Sequence, residues 1–268
     1  VGTDAALGLS MAHVMIEEGI YNAAFVKEQT DLPLLVHADS GRFLRESDLV
    51  KGGAEDRFYV HDAAGKGVTM VAQKTLALDG LDPDLEGEFE VSGLSGTLRV
   101  TPVFARLRKH LQQYTPEQAT TICGTSPDTI RGLARQLAKA RAATCVTQSN
   151  FSKFYHGIEM ERAQILCFAL AGQMGRKGAG YMGFPYMSVD AVGSLAVASG
   201  QRSPKIALAA LGLKMAPEIL KLKWDGYTSE MIMYEMGRRS YRGGDSLATL
   251  IWMYHQGGME DTYGETEK

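Results

Sequence analysis

The chain has 268 residues, of which 45% are hydrophobic and 22% charged, and its net charge is -3. This is the composition of a globular protein, and it excludes a disordered or fibrous one. Because 28 basic residues are offset by 31 acidic ones, a nucleic-acid surface built on overall positive charge is also excluded. The length allows one large core or two interlocked domains. Thirty glycines exceed the usual level of about 7%, so we expect tight turns and close backbone approaches.

Cysteine spacing and hydropathy exclude two further classes. Cys123, Cys145 and Cys167 are odd in number and far apart, so we expect three buried thiols and neither a disulfide framework nor a CxxC metal site. The apolar region 163–200 is interrupted by charged residues, proline and glycine, so we expect no membrane span. The chain begins at Val1, and we expect it to be a piece of a longer polypeptide.

The first predicted element is an amphipathic helix over about residues 5–18, which begins after Gly2-Thr3-Asp4 and stops at Gly19. Short apolar runs separated by Gly, Asp and Pro then predict a strand-and-loop insert at about residues 30–100. A helix pair follows. Its helices start at a capping box, Thr115-Pro116-Glu117-Gln118, and at Ser126-Pro127.

A strand, a loop and a helix come next. The β-rich run 143–148 fits a buried parallel strand, and a helix is expected over about residues 158–171. Ligands of open α/β sheets collect at the carboxyl ends of strands, so the loop SNFSKFYHG at residues 149–157 is where we expect a site. After residue 203 the pattern predicts two short helices, with Pro217 near their junction.

Two glycine-containing segments each have two interpretations. Thr3 and Asp4 are caps, or the backbone N–H groups at this helix start meet an anionic or polar ligand, and nothing local decides between them.

The second segment contains GRKGAG, which is superficially similar to a dinucleotide fingerprint but follows a helix instead of a strand. Its backbone can still lie against a flat or charged ligand, with Arg176 and Lys177 available for phosphates. The glycines concerned are Gly172, Gly175, Gly178, Gly180 and Gly183.

His156 is the best single candidate for chemistry in this chain. A lone histidine is more often structural, but His156 lies in the expected site loop with Asn150 and Tyr155. Glu161 and Arg162 follow, either as a solvated pair or with Arg162 contacting a phosphate or Asp190.

Four separated motifs, in the same order, resemble the middle of a molybdopterin oxidoreductase catalytic subunit of the DMSO reductase superfamily. They are GTDAALGLSMAHVMIEEGIYN, TDLPLLV with GRFLRESDLV, ICGTSPDTIRGLARQLAKAR, and YHGIEMERAQILCFALAGQMGRKGAG. The resemblance covers about residues 1–200 and is specific because the motifs agree. The second motif is similar to the branch with respiratory nitrate, selenate and chlorate reductases and ethylbenzene dehydrogenase.

The resemblance implies an α/β fold, with Rossmann-like parallel-sheet domains that hold a bis(molybdopterin guanine dinucleotide) cofactor and carry the strand-rich insert. It implies that residues 1–142 and 143–268 belong to two such domains. It also implies two-electron oxygen-atom transfer or hydroxylation at molybdenum in anaerobic respiration. The cofactor-binding residues it implies are Gly2, Thr3, Asp4, Asn150, Tyr155, Gly172, Gly175, Gly178 and Gly180, with His156 as the catalytic candidate.

Other parts of the assembly are also implied by the resemblance. A [4Fe-4S] cluster and the protein ligand to molybdenum are expected outside this chain, which therefore holds no metal ligand and is not expected to turn over alone. An iron–sulfur electron-transfer subunit and a small-molecule substrate are the expected partners. The periplasm of a bacterium or archaeon is the implied location, and the cytoplasmic face of the membrane is the alternative.

Two rival functions are open at this point. One is a noncatalytic paralogue that keeps the cofactor-binding scaffold as a structural subunit. The other is a nicotinamide-dependent dehydrogenase, which is disfavoured because no strand precedes the glycine run.

Overall fold

The structure is a computed structural model that describes residues 2–65, 67–72, 74–75, 77–147, 154–183, 204–229, 231–232 and 235. The chain divides into two compact units. The first comprises Val1–Ala143 and Glu159–Gly180, and the second comprises Thr144–Ile158 and Tyr181–Lys268. Whether these units correspond to the two expected cofactor-binding domains stays a proposal.

The helices are α1 Asp4–Glu17, α2 Ala23–Gln29, α3 Glu46–Leu49, α4 Val103–Leu111, α5 Pro116–Cys123, α6 Pro127–Lys139, α7 Gly157–Leu170 and α8 Pro204–Trp224. The strands are β1 Leu35–His37, β2 Tyr59–Asp62, β3 Gly67–Met70, β4 Phe89–Gly93, β5 Gly96–Pro102, β6 Thr144–Thr147 and β7 Gly180–Gly183.

Helix α1 supplies much of the core of the first unit. Met11, Val14 and Met15 are buried and pack with apolar side chains from α2, α4, α5, α6 and α7. The helix ends as predicted at Gly19, whose φ of 63° is left-handed. Ile20 N–H donates to the Met15 carbonyl and Gly19 N–H to that of Ile16, which is a Schellman motif.

The predicted insert and helix pair are confirmed. In the insert, β1, β5 and β4 form an antiparallel sheet in that order, and β2 pairs with β3 in a hairpin. Its own small core contains Leu35, Leu44, Tyr59 and Val100. Helix α5 begins at the predicted capping box, and the Ser126 hydroxyl caps α6 by accepting from Thr129 N–H.

Two predictions about secondary structure are wrong. Residues 144–147 do form a strand, but it is not buried, since Val146 is 60% exposed. Among the described residues β6 pairs with β7 alone, so these residues do not show a Rossmann-like parallel sheet. The two short helices expected after residue 203 are the single helix α8, with Pro217 inside it. Strong helix formers on both sides of Pro217 offset the hydrogen bond that proline cannot donate.

Gly172 ends α7 in the same way that Gly19 ends α1. Its φ is 64°, its N–H donates to Ala169, and Gln173 N–H donates to Phe168. Unlike Gly19, it lies against another residue: a Cβ built on Gly172 would lie 2.6 Å from Nδ2 of Asn22. Asn22 cannot easily move, because its Oδ1 caps α2 and its N–H donates to the Leu170 carbonyl.

The two glycines make a matched pair for mutation. Gly19→Ala should cost only the left-handed backbone penalty of about 1 kcal/mol, because nothing lies within 4 Å of its Cβ position. Gly172→Ala should cost clearly more, because the same penalty is joined by the collision with Asn22. Urea unfolding measures both free energies of unfolding. Equal losses would contradict the close approach of Gly172 and Asn22.

Candidate functional site

The amino terminus of α1 has no side-chain cap. Gly2 has a φ of 78°, and the Thr3 side chain, at the N-cap position, makes no capping hydrogen bond. Only the Thr3 carbonyl takes part, accepting from Ala6 N–H at 3.1 Å. The capping interpretation of Thr3 is therefore wrong. Among the described residues, no side chain caps the first-turn N–H groups of Asp4 and Ala5, which can therefore meet a ligand, and nothing lies within 4 Å of a Cβ built on Gly2.

Helix α7 fixes this end of α1 in place. Gln164 Nε2 donates to the Asp4 carbonyl at 2.8 Å. A Cβ on Gly8 would lie 3.0 Å from the carbonyl carbon and oxygen of Ala163, so the two helices touch backbone to backbone. The Cys167 thiol donates to the Gly8 carbonyl at 3.0 Å. Sequence reasoning missed Gln164 and Gly8, because their partners are about 160 residues distant.

Cys167 is a packing residue. Burial raises the pKa of its thiol to about 12, so the thiolate that would act as a nucleophile or metal ligand does not form near neutral pH. The prediction of three buried thiols holds only for Cys167, because Cys123 and Cys145 are half-buried. Their positions on α5 and in the exposed strand β6 account for the difference.

The glycine-rich turn after α7 presents backbone to solvent. Gly175, Gly178 and Gly180 have φ values of 72°, 78° and 147°, and nothing lies within 4 Å of a Cβ built on Gly175 or Gly180. Arg176 and Lys177 between them are exposed. Three left-handed glycines next to two cations suit the close approach of an anionic ligand. The turn follows α7 and not a strand, so a nicotinamide fingerprint lacks its context here.

Gln173 is a second residue that sequence reasoning missed. Its side chain is fully buried. Oε1 accepts from Ala143 N–H at 3.0 Å, and Nε2 donates to the carbonyls of Ala140 at 2.7 Å and Leu137 at 3.3 Å. The carbonyls at the end of α6 thus find their partner in this amide. A polar residue directly after a helix-ending glycine was the only signal in the sequence.

His156 lies at the start of α7, in the second unit. Its φ is 56°, and the ring of Tyr155 meets it edge-on with centroids 4.3 Å apart. Tyr155 is 61% exposed, and His156 is half-buried. Gly157 N–H donates to the Phe154 carbonyl at 3.0 Å, which closes the turn. The structure therefore brings Tyr155 and His156 together, whereas Asn150 and Asp190 lie outside the described residues.

The remaining polar candidates are His61, Glu161 and Arg162. His61 pairs with Asp84 at 2.7 Å and stacks on Phe89 at 3.6 Å, so it holds the insert together. Glu161 is half-buried and Arg162 is exposed.

In the part of the chain that the structure describes, no group of three or more His, Cys, Asp or Glu side chains could hold a metal ion. Within the same residues, no helix is both long and apolar enough to cross a membrane.

No family model matches the chain, but curated proteins do. It is 42% identical over 183 residues to the dimethylsulfide dehydrogenase subunit alpha of Rhodovulum sulfidophilum, covering 66% of this chain and 20% of that protein. It is 36% identical over 206 residues to the perchlorate reductase subunit alpha of Dechloromonas aromatica, covering 67% and 22%. It is 35% identical over 195 residues to the respiratory nitrate reductase subunit alpha of Haloferax mediterranei, covering 67% and 20%. The chain spans about a fifth of the length of these relatives.

The backbone of His156 gives a test that is independent of any ligand. A left-handed conformation costs a non-glycine residue about 1 kcal/mol or more and costs glycine little. His156→Gly should therefore be more stable than His156→Ala by about 1 kcal/mol, since both variants lose the imidazole and only alanine keeps the strain. Thermal unfolding of the two variants side by side measures this. Alanine matching or exceeding glycine would contradict the strained turn.

Proposed function

Because this chain belongs to the DMSO reductase family of molybdopterin oxidoreductases, we propose that it helps to hold a bis(molybdopterin guanine dinucleotide) cofactor. The protein that carries it would be a respiratory-type molybdenum oxidoreductase, with this chain as part of its catalytic subunit. The observation that carries the proposal is the uncapped amino terminus of α1 at Gly2, Thr3 and Asp4. Within the family resemblance, these three residues match the segment that lines a guanine dinucleotide.

The residues of the first unit fit such a ligand in two places. One is the start of α1. The other is the glycine-rich turn, which begins at Gly172 beside Asn22, beyond the carboxyl end of α1. The 14 residues of α1 span roughly 20 Å, and this helix lies between Gly2 and the contact of Asn22 with Gly172. This separation suits contacts to the two different halves of an elongated cofactor and not to one small ligand.

Charge assigns different parts of a dinucleotide to the two places. The carboxylate of Asp4 would repel a diphosphate but can accept hydrogen bonds from the N–H groups of guanine. Arg176 and Lys177, with the left-handed glycines around them, can instead hold a diphosphate. We therefore assign a guanine to Gly2, Thr3 and Asp4, and the diphosphate of the second half to the turn at Gly175, Gly178 and Gly180.

When bound, the cofactor supplies two-electron chemistry at molybdenum, as oxygen-atom transfer or hydroxylation. The proposed task of His156 is to donate a hydrogen bond to the substrate or the pterin, with Tyr155 limiting the orientation of the imidazole. Asn150 belongs to the same proposed loop. The names of the relatives contain "subunit alpha", and we propose an iron–sulfur subunit as electron-transfer partner, with a [4Fe-4S] cluster elsewhere in the assembly. A Rossmann-like pair of domains around the cofactor is part of the same proposal.

Asp4→Ala tests the binding assignment in the protein that carries this chain. Loss of a hydrogen bond to a charged group costs about 1.5–3 kcal/mol, so cofactor affinity should fall by about tenfold or more. Molybdenum content and the GMP released by acid measure occupancy, and the melting temperature is recorded alongside.

Thr115→Ala is the matched control, because Thr115 is a true cap of α5 and lies outside the proposed binding segments. It should lower stability by about 1 kcal/mol and leave the cofactor content unchanged. Full occupancy in Asp4→Ala with a lowered melting temperature would make Asp4 an ordinary helix-terminal residue and overturn the assignment.

His156→Ala tests the catalytic assignment. Turnover should fall on the order of 10²-fold, the scale of losing one positioned donor or proton-transfer group, while cofactor content stays near that of the wild type. His61→Ala is the control, because His61 lies between Asp84 and Phe89 in the insert, and it should not lower turnover. A noncatalytic scaffold would instead show full cofactor content and no turnover in the wild type.

A further inference from the structure

We propose that Gln173 is a positioning residue that sets the width of the glycine-rich turn, and through it the fit of the turn to a diphosphate. The second half of this inference rests on the proposed function, because it is the proposed cofactor that brings the diphosphate. The first half concerns the turn alone and is decided without any ligand.

Both ends of the turn are tied to one residue, Ala143. At the start of the turn, Gln173 Oε1 accepts from Ala143 N–H at 3.0 Å. At its end, Gly180 N–H donates to the Ala143 carbonyl at 3.0 Å. Within it, Ala179 N–H donates to the Arg176 carbonyl at 3.1 Å. The turn is therefore a loop closed on the two backbone groups of Ala143, and its width depends on the length and orientation of the Gln173 side chain.

The amide of Gln173 also fixes Ala143 itself. Nε2 donates to the carbonyls of Leu137 and Ala140, so the end of α6 and the residue before β6 are held by the same buried group. A side chain in this place needs an acceptor on one branch and a donor on the other, and it must reach three backbone groups. Glutamine meets both needs while staying neutral, which matters because an unpaired charge here would be fully buried.

A turn that is already closed before a ligand arrives should bind that ligand more tightly. The reason is that glycine has the largest backbone freedom of all residues. Gly175, Gly178 and Gly180 would otherwise sample many backbone conformations, and ordering them on binding would weaken affinity. With its ends fixed on Ala143, the turn keeps its N–H groups and the backbone of Arg176 and Lys177 within it in a narrow range of positions. Gln173 contacts no ligand in this scheme, and its effect on binding passes through the turn.

The test uses the 268-residue chain in cofactor-free form, with isotopically labelled glycine. Amide exchange of Gly180 measures closure of the turn, and titration with inorganic pyrophosphate, followed on the glycine resonances, measures binding. Gln173→Met, which keeps the length of the side chain and removes its hydrogen bonds, should lower the protection of Gly180 about tenfold and weaken pyrophosphate binding by about tenfold. A tenfold loss of affinity is the lower end of the effect expected when a residue that orients a ligand-binding group is removed.

Thr101→Val is the matched control. It removes another buried side chain to backbone hydrogen bond, from the Thr101 hydroxyl to the Gly87 carbonyl at 2.8 Å, but in the insert. It should lower stability without changing Gly180 protection or pyrophosphate binding. Equal effects of Thr101→Val and Gln173→Met on the turn would show a general loss of stability and overturn the proposal.

Gln173→Glu supplies a readout that a packing role would not produce. The charged carboxylate can still accept from Ala143 but faces the carbonyls of Leu137 and Ala140, so its pKa in the fold should be raised. At pH 8 the variant should behave like Gln173→Met. At pH 5 the neutral carboxyl can donate to Ala140 and accept from Ala143, so protection of Gly180, corrected for the intrinsic exchange rate and compared with the wild type, should recover.

The outcomes separate the two proposals. Wild-type protection and binding in Gln173→Met, or a Gln173→Glu variant whose turn does not respond to pH, overturn the role of Gln173. If Gln173→Met does not fold, the pH response of Gln173→Glu decides. If the wild-type chain does not bind pyrophosphate at the turn, the diphosphate assignment of the proposed function fails, and amide exchange alone still decides whether Gln173 sets the turn.

Discussion

The close contact between α1 and α7 is the constraint on which the first unit depends. Gly8 touches the backbone of Ala163, and a single methyl group at Gly8 would lie 3.0 Å from the Ala163 carbonyl. Because the backbones approach so closely, the Cys167 thiol and the Gln164 amide can reach carbonyls on α1. A side chain at Gly8 would push the two helices apart and weaken all three interactions together. The contact joins residues about 160 positions apart, so it defines the fold of the unit more than any local element does.

The proposed ligand-binding surfaces follow from that contact. The start of α1 is held by Gln164, and the end of α7 is held against Asn22, beyond the other end of α1. The glycine-rich turn begins there, so its distance from Gly2 is set by the length of α1. Gln173 then closes the turn on Ala143. The chain thereby positions backbone donors with helices and buried amides, and does not rely on the loops to find their own conformation.

Local signals in the sequence predicted the elements whose causes are local. The capping box at Thr115, the cap at Ser126 and the stop at Gly19 each act within five residues, so the pattern alone located α5, α6 and the end of α1. The exposed strand β6 could not be predicted, because burial depends on what packs over Val146 and not on its β-propensity. Helix α8 was missed for a different reason: the helix-forming residues on both sides of Pro217 together outweigh the penalty of one proline. In the candidate site, the sequence indicated the glycines and His156 but not Gln173, whose partners are 30 to 36 residues away.

The two ends of α1 show how stability and binding are divided in this unit. Glu17 and Glu18 lie at its carboxyl end, where the helix dipole disfavours negative charge. Hydrogen bonds from Arg108 and Arg135 lower the pKa values of these two carboxyls, so the pairs stabilise the fold at neutral pH and lose that effect as the pH falls through the lowered values. The carboxyl end is thus satisfied by α4 and α6, within the unit. At the amino end, by contrast, no side chain of the described residues caps the helix, whereas α2, α5 and α6 are capped by their own side chains. A missing cap costs about 1 kcal/mol, and a ligand at Gly2, Thr3 and Asp4 would recover that stability only in the bound state. If the proposed cofactor binds there, folding and binding are thermodynamically linked through the first turn of α1.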